Sequence, residues 1–371
     1  MRIGILTLPL HTNYGGILQA YALQTALQRM GHNVCVFDTK KTQKAPLSPV
    51  VYAKRLGYKL LKDRSALIMQ EKHHNRVFPI IAQHTQRFAS KYINRYTVDS
   101  LSMVDKNDFD AIVVGSDQIW RPKYFSGPFN ARTEDAFLAF TEGWNIKRIA
   151  YAASFGVDHW EFTAKETVKC KAAVACFDAV AVREDAAVVQ CKEHFGVEAK
   201  HVVDPTMLLN KEDYIALIEQ ENEPVSKGTL FKYILDETPE KQALVNKVAK
   251  ELGLQPFAVK PGDKGKPEER IYPPITAWLR AFLDAEFIVC DSFHGAVFSI
   301  IFNKPFIVIG NNKRGMSRFT SLLKMFSLEE RMITDLNNID ICKKPIDWDN
   351  VNAKRSHLQT ECLAFLNTNL S

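Results

Sequence analysis

The stretch DSFHGAVFSIIF, Asp291 to Phe302, holds a histidine between an aromatic ring and a glycine, directly after the apolar run FIVC. Histidine titrates closest to neutrality and is the natural group for moving a proton, although a lone histidine against an apolar helix is commonly a packing residue. Other clusters share its position just past an apolar, strand-like run. VVGSDQIW delivers Ser116, Asp117, Gln118 and Trp120. A carboxylate with an amide and an indole beside it suits a sugar hydroxyl and stacking on a sugar ring, while Ser and Asp also serve as helix caps. AVRED places Arg183 where a two-pronged guanidinium fits a carboxylate or phosphate, or else an ion pair with Glu184 and Asp185 at a helix start. NYGG sets Asn13, Tyr14, Gly15 and Gly16 between a strand and a helix, where backbone N–H groups can receive an anion or simply make a tight turn. KRGMSR gathers Lys313, Arg314 and Arg318 after the strand PFIVIGN, a basic loop well placed for phosphate. Ser154, in YAASFG, closes one more strand of this kind, and Ser292 and Gly295 flank the histidine.

The elements that must position these residues alternate. RIGILT (2–7) reads as a strand, HTNYGG (11–16) as a turn, and Ile17, Tyr21, Leu23, Leu27 and Met30 recur at helical spacing up to a stop at Gly31. VCVFDT (34–39) completes a βαβ unit, which implies a parallel sheet with its ligand edge at the strand carboxyl ends. DAIVVGSD (110–117), RIAYAASFG (148–156), AVAVRED (179–185) and HVVDPTMLL (201–209) continue as strands, the last as the passage out of a first domain. TLFKYILD (229–236) opens a second series, with a helix from Glu240 to Leu252 and strands in PFAVK (256–260), FIVCDS (287–292) and PFIVIGN (305–311). The expected fold class is α/β, two Rossmann-like domains over 1–200 and 201–345 facing across a cleft, and a helix over 346–371 packing back. No G-x-G-x-x-G occurs, and Asp38 is the one candidate ribose ligand, which disfavours a nicotinamide enzyme.

The chain has 371 residues, enough for two cores, and 46% of them are hydrophobic. A net charge of +6, from 48 basic and 42 acidic residues, is too mild to imply nucleic acid but suits a small anionic substrate. The seven cysteines form neither a C-x-x-C pair nor a Cys/His ligand spacing, so no metal site and no disulfide framework are expected. Without a signal peptide or a membrane-spanning run, the sequence reads as cytoplasmic. Residues 52–95 depart from the alternation: Lys54, Arg55, Lys59, Lys62, Arg64, Lys72, Arg76, Arg87, Lys91 and Arg95 face only Asp63 and Glu71. This basic helical insertion reads first as a solvated element whose apolar side packs on the domain, and second as a basic surface for a pyrophosphate-linked substrate or for anionic headgroups at the inner face of a membrane.

In order and spacing, NYGGILQAYAL, VVGSDQIW, YAASFG, AVRED, VDPTMLL, DSFHGAVFSIIFNKPF and the KRGMSRF loop resemble the polysaccharide pyruvyl transferase family over most of the chain. The resemblance implies the two-domain fold of B-type glycosyltransferases and transfer of a pyruvyl group from phosphoenolpyruvate to a sugar hydroxyl pair, usually as a cyclic ketal. The product would belong to a cell-surface polysaccharide or its lipid-linked precursor. It implies a donor site around the histidine in 201–345 and an acceptor site facing it in 1–200, with His294 matching the family histidine, Arg183 the arginine after A-V-R, Lys313 a basic residue near the donor, and Asp117 a carboxylate after the glycine-containing strand. Many members read S-x-R-L-H-G where this chain reads C-D-S-F-H-G, so Ser292 stands in the place of an arginine, and either Lys313, Arg314 or Arg318 supplies that charge or the donor is held differently. The mechanism expected has His294 as general acid or base, Arg183 and Lys313 on carboxylate and phosphate, and Asp117 on the acceptor hydroxyl, with phosphoenolpyruvate as co-substrate and no cofactor. The alternative reading is a nucleotide-sugar-dependent glycosyltransferase of the same fold; a phosphate- or sugar-binding module and a structural partner in a polymer-assembly complex, or an oligomer, are further readings.

Overall fold

The computed structural model describes residues 1–371 except 40–42, 44, 65, 126–128, 130, 263–264, 311–315 and 337–338. Lys313 and Arg314 therefore lie outside the described residues. The first half runs β1 (Arg2–Leu6), α1 (Tyr14–Arg29), β2 (Asn33–Asp38), α2 (Pro49–Leu61), α3 (Gln70–Ile81), α4 (Gln83–Tyr92) and β3 (Arg95–Thr97). It continues through β4 (Ala111–Val114), α5 (Pro122–Phe125), β5 (Lys147–Ala153), α6 (Ala164–Val174), β6 (Ala179–Val182), α7 (Asp185–Gln190) and β7 (Lys200–His201). The second half holds α8 (Lys211–Gln220), β8 (Leu230–Tyr233), α9 (Pro239–Leu252), β9 (Pro256–Phe257), α10 (Ile275–Asp284) and β10 (Phe287–Cys290). It closes with α11 (Phe293–Ile301), β11 (Phe306–Ile309), α12 (Met316–Phe326), β12 (Met332–Ile333) and α13 (Trp348–Leu370).

These strands form two sheets, both parallel. The first has the order β3-β2-β1-β4-β5-β6-β7 and the second β12-β11-β10-β8-β9. The fold is α/β with two parallel sheets, as the sequence pattern predicts. All four residues of β4, of β10 and of β11 are buried, because helices cover both faces of a parallel sheet and leave no strand residue a polar side. In each sheet the order reverses once, between β1 and β4 and between β8 and β10, and at such a reversal the loops after the two strands part to leave a crevice. Asn13, Asp117 and His294 all sit at those two crevices.

Local signals place the helix ends. Gly31 stops α1 with a φ of +88°, and α9 starts on the Thr238 hydroxyl and Pro239 and stops at Gly253 with a φ of +67°. Two expected strands are shorter than the sequence suggests. In HVVDPTMLL the pairing ends at His201, and Asp204 instead caps a 3-10 turn, Pro205–Leu208, because proline has no N–H for a ladder. In PFAVK only Pro256 and Phe257 pair. The 52–95 insertion is helical as expected, but its parts pack differently. Val77, Phe78, Phe88 and Ala89 of α3 and α4 are buried, whereas α2 buries none of its residues. Helix α13 touches both halves: Gln359 donates to the Leu208 carbonyl at 3.0 Å, Lys354 to the Ser327 hydroxyl at 2.6 Å, and Lys147 to the Asn369 carbonyl at 3.2 Å. All seven cysteines are free thiols.

Candidate active site

A cavity of about 580 Å³ opens where the two crevices meet. The β1–α1 connection contributes Thr12, Asn13, Tyr14 and Gly15; the exit of β8 contributes Lys232, Tyr233, Ile234, Leu235 and Glu237; and Ser292 and His294 come from the start of α11. Val259, Lys260, Pro261 and Tyr272 close the far wall. Substrate-sized space thus lies between the sheets, lined by both.

His294 occupies the first turn of α11, with Ser292 at the N-cap, and is 7% exposed. Its Nε2 lies 3.6 Å from Asp204 Oδ2. Its ring also rests on Gly15: a Cβ at position 15 would meet His294 Nδ1 at 2.0 Å. Glycine is required there because helix α1 and the histidine of the other sheet approach more closely than any side chain allows. The expected anion-receiving turn is therefore the first turn of α1 itself, and Gly15 is the seat of the histidine. Gly16 lies against the Asn13 amide and the Asp117 carboxylate. Asn13 donates from Nδ2 to Asp117 Oδ2 at 3.0 Å, so the two residues reach the site as one unit with Asn13 outermost.

Behind the histidine lies a buried charge network. Asp204 Oδ2 accepts from Arg183 Nη1 at 2.8 Å and from the Ser116 hydroxyl at 3.3 Å, while Oδ1 accepts from the Thr206 hydroxyl at 2.8 Å. Burial favours the neutral form of Asp204, but His294 and the Arg183 guanidinium outweigh it and hold the carboxyl well below the usual carboxylate range. Arg183 and Arg318 both lie over the ring of Phe293, with Cζ 4.4 and 5.8 Å from its centroid. Burial, followed by the neighbouring charge of Arg183, pushes the Arg318 guanidinium down to about 10. The wall on the other side is stapled by Asp291, which accepts from Lys241 Nζ at 2.6 Å and from the backbone N–H of Leu235 at 2.6 Å. That pair holds the exit of β8 against the exit of β10.

Several expected site residues are not brought to the cavity. Arg183 has a side chain 1% exposed and is engaged by Asp204, so the guanidinium expected to grip a substrate anion instead anchors the aspartate beside His294. Trp120 is 1% exposed, stacked on Phe137 at 4.7 Å, and donates to the Ala136 carbonyl. The indole expected as a sugar platform is a core residue, turned inward because the chain after β4 folds back over an aromatic cluster. Ser116 is fully buried against Asp204, and Ser154 is fully buried with its hydroxyl on Glu184. Gln118 accepts from Arg121 Nη1 at 3.0 Å, and Gly295 lets α11 lie on Cys290, 2.8 Å from where a Cβ would sit. Tyr14 lines the cavity, yet its hydroxyl is taken by the Pro273 carbonyl at 2.8 Å. Arg318 is buried behind Phe293.

The residues missed are Asp204, Lys232, Lys260 and Glu237. Asp204 lies within HVVDPTMLL, which reads as a strand leading out of the first domain. Lys232 interrupts the apolar strand TLFKYILD, and a charge inside a buried strand was the available signal. Lys232 and Lys260 meet at Glu237, 3.2 and 2.9 Å from its Oε1.

A sequence model of a family described as polysaccharide pyruvyl transferase matches residues 13–313. The chain belongs to the polysaccharide pyruvyl transferase family. The matched region runs from Asn13 through His294 and so spans both crevices of this pyruvyl transferase relative. Comparison with curated protein sequences finds no match. Among solved structures, the chain is similar to UDP-GlcNAc 2-epimerase from Neisseria meningitidis, at 10% identity over 98% of this chain and 100% of that one, TM-score 0.45. It is also similar to UDP-GlcNAc 2-epimerase from Methanocaldococcus jannaschii, at 11% identity over 95% and 91%, TM-score 0.46. A third is Acinetobacter baumannii MurG, at 13% identity over 98% of both chains, TM-score 0.42. At such scores the likeness is one of overall chain path and bears on no residue of the site.

Proposed function

We propose that this protein transfers a pyruvyl group from phosphoenolpyruvate to two hydroxyls of a sugar in a cell-surface polysaccharide or its lipid-linked precursor, forming a cyclic ketal. The observation that carries this reading is His294 at the rim of the cavity between the sheets, backed by Asp204 and facing the cations Lys232 and Lys260. Phosphoenolpyruvate is an enol ester carrying a carboxylate and a phosphate. Lys232 and Lys260 take those anionic groups, exchanging Glu237 for the substrate, in place of the buried Arg183.

His294 then protonates the methylene carbon, which becomes the methyl group, and positive charge develops on the central carbon. One sugar hydroxyl attacks that carbon and gives up its proton; the carbon–oxygen bond to phosphate breaks; the second hydroxyl adds and loses its proton, leaving the ketal and inorganic phosphate. Asn13, held by Asp117, orients the acceptor. The imidazolium that protonates the donor is stabilised by the ionised Asp204.

Replacing His294 by alanine tests the assignment. With phosphoenolpyruvate and a panel of hexosides bearing free hydroxyl pairs, phosphate release should fall by about a hundredfold or more, with a melting temperature close to that of the native chain. Retained turnover would return the histidine to the core, and release of a nucleoside diphosphate from nucleotide sugars would replace the reaction itself.

A further inference from the structure

Helix α2 is built the wrong way round for a helix that faces water. The side turned toward the rest of the insertion carries Val51, Tyr52, Arg55 and Lys59, all half-buried, and Arg55 is locked there: Nη1 and Nη2 donate to Glu71 at 2.8 and 2.7 Å, and Nη1 also to the Ile68 carbonyl at 3.1 Å. The opposite side carries Val50, Leu56, Leu60 and Leu61, all exposed. Leu60 is 69% and Leu61 86% exposed, and Leu47, just before the helix, is fully exposed. No residue of α2 is buried. Leucines at successive turns of one outward face have no reason to persist in water, and a patch of this kind marks a surface made to be covered.

What covers it is set by the charge around it. Lys54, Lys62 and Arg64, all exposed, make no ion pair among the described residues, and the two acids within 52–95 are Asp63 and Glu71, the latter occupied by Arg55. A leucine face rimmed by lysines fits an anionic phospholipid surface, with the apolar side chains among the acyl chains and the ammonium groups at the headgroup phosphates. No helix among the described residues is long and apolar enough to cross a membrane, so the contact is one of lying on the surface. The geometry points to α2 as a docking element for the anionic face of a lipid bilayer. The reaction proposed above does not depend on it.

Vesicle flotation of the full chain decides the matter. The native chain should float with phosphatidylcholine vesicles that contain phosphatidylglycerol, float less at high salt, and leave pure phosphatidylcholine nearly unbound. Leu60→Glu together with Leu61→Glu should weaken flotation by about tenfold or more, and Lys54→Gln, Lys62→Gln and Arg64→Gln together should remove the preference for the anionic lipid. These exposed positions should leave the melting temperature unchanged. The proposal is overturned if the native chain ignores anionic vesicles at low salt, or if the glutamate variant floats as well as the native chain. It is equally overturned if sedimentation shows a native dimer that the glutamate variant dissociates while neither form floats. Phosphate release with a soluble hexoside reports on the reaction alone, so the two ideas can fail separately.

Discussion

At the scale of single residues, Asp204 joins His294 to the buried Arg183. It is wholly buried, and its Oδ2 serves Arg183, Ser116 and the histidine at once. Replacing it with asparagine leaves the guanidinium of Arg183 buried without its closest counter-charge, which should cost about 3–5 kcal/mol in urea unfolding at neutral pH. The pH dependence has a definite sign. The folded carboxyl titrates below its ordinary value, so its contribution is complete above the unfolded pKa of about 4 and declines as the pH falls below it toward the folded value. The gap in stability between the native chain and Asp204→Asn should therefore be constant from neutral pH to about 5 and narrow in stronger acid. A gap that is small at neutral pH, or that widens in acid, would show that Arg183 finds its charge elsewhere.

Among the elements, the exit of β4 shows how a strand-end motif can serve the core instead of the cleft. VVGSDQIW leaves the sheet at the crevice, but after Asp117 the chain turns back and buries its tryptophan against Phe137 and Phe155. Trp120→Ala should accordingly cost about 3–5 kcal/mol, while Trp120→Phe, which keeps the stack and loses the hydrogen bond to Ala136, should cost about 1 kcal/mol. The acceptor KM of the phenylalanine variant should match that of the native enzyme. A large rise in KM with unaltered stability would make the indole a sugar platform after all. The contrast with α2 is instructive: there the exposed apolar side chains belong to a helix with no core to join.

The whole molecule brings its cations together from one side of the cavity. Lys232 and Lys260 belong to the second sheet and its connections, whereas Asn13 and Gly15 belong to the first. Donor and acceptor contacts should therefore separate by half. Lys232→Gln and Lys260→Gln should each raise the KM for phosphoenolpyruvate by about tenfold or more, as loss of a charged hydrogen bond does, with little effect on the KM for the sugar. Equal effects on both would mean that the lysines hold the cavity together through Glu237 and do not hold the donor. Helix α13 donates from Gln359 to the Leu208 carbonyl and from Lys354 to the Ser327 hydroxyl, and accepts from Lys147 at its Asn369 carbonyl, so it ties the two halves that make the cavity.

The alternation of apolar runs with glycine- and acid-containing turns was enough to read two parallel α/β sheets, the strand-end positions of Asn13, Asp117 and His294, and the helical character of the insertion, because these depend on periodicity within short windows. The order of motifs was enough to find the family. What each strand-end side chain does was a different matter. Arg183, Ser116, Ser154 and Trp120 lie at strand ends, yet they turn inward, since their partners Asp204, Glu184 and Phe137 are contributed by distant segments. The need for Gly15 arises only where α1 meets a histidine 279 positions later in the chain. Pairing of that kind is settled by how the two sheets close on each other, and no local pattern carries it.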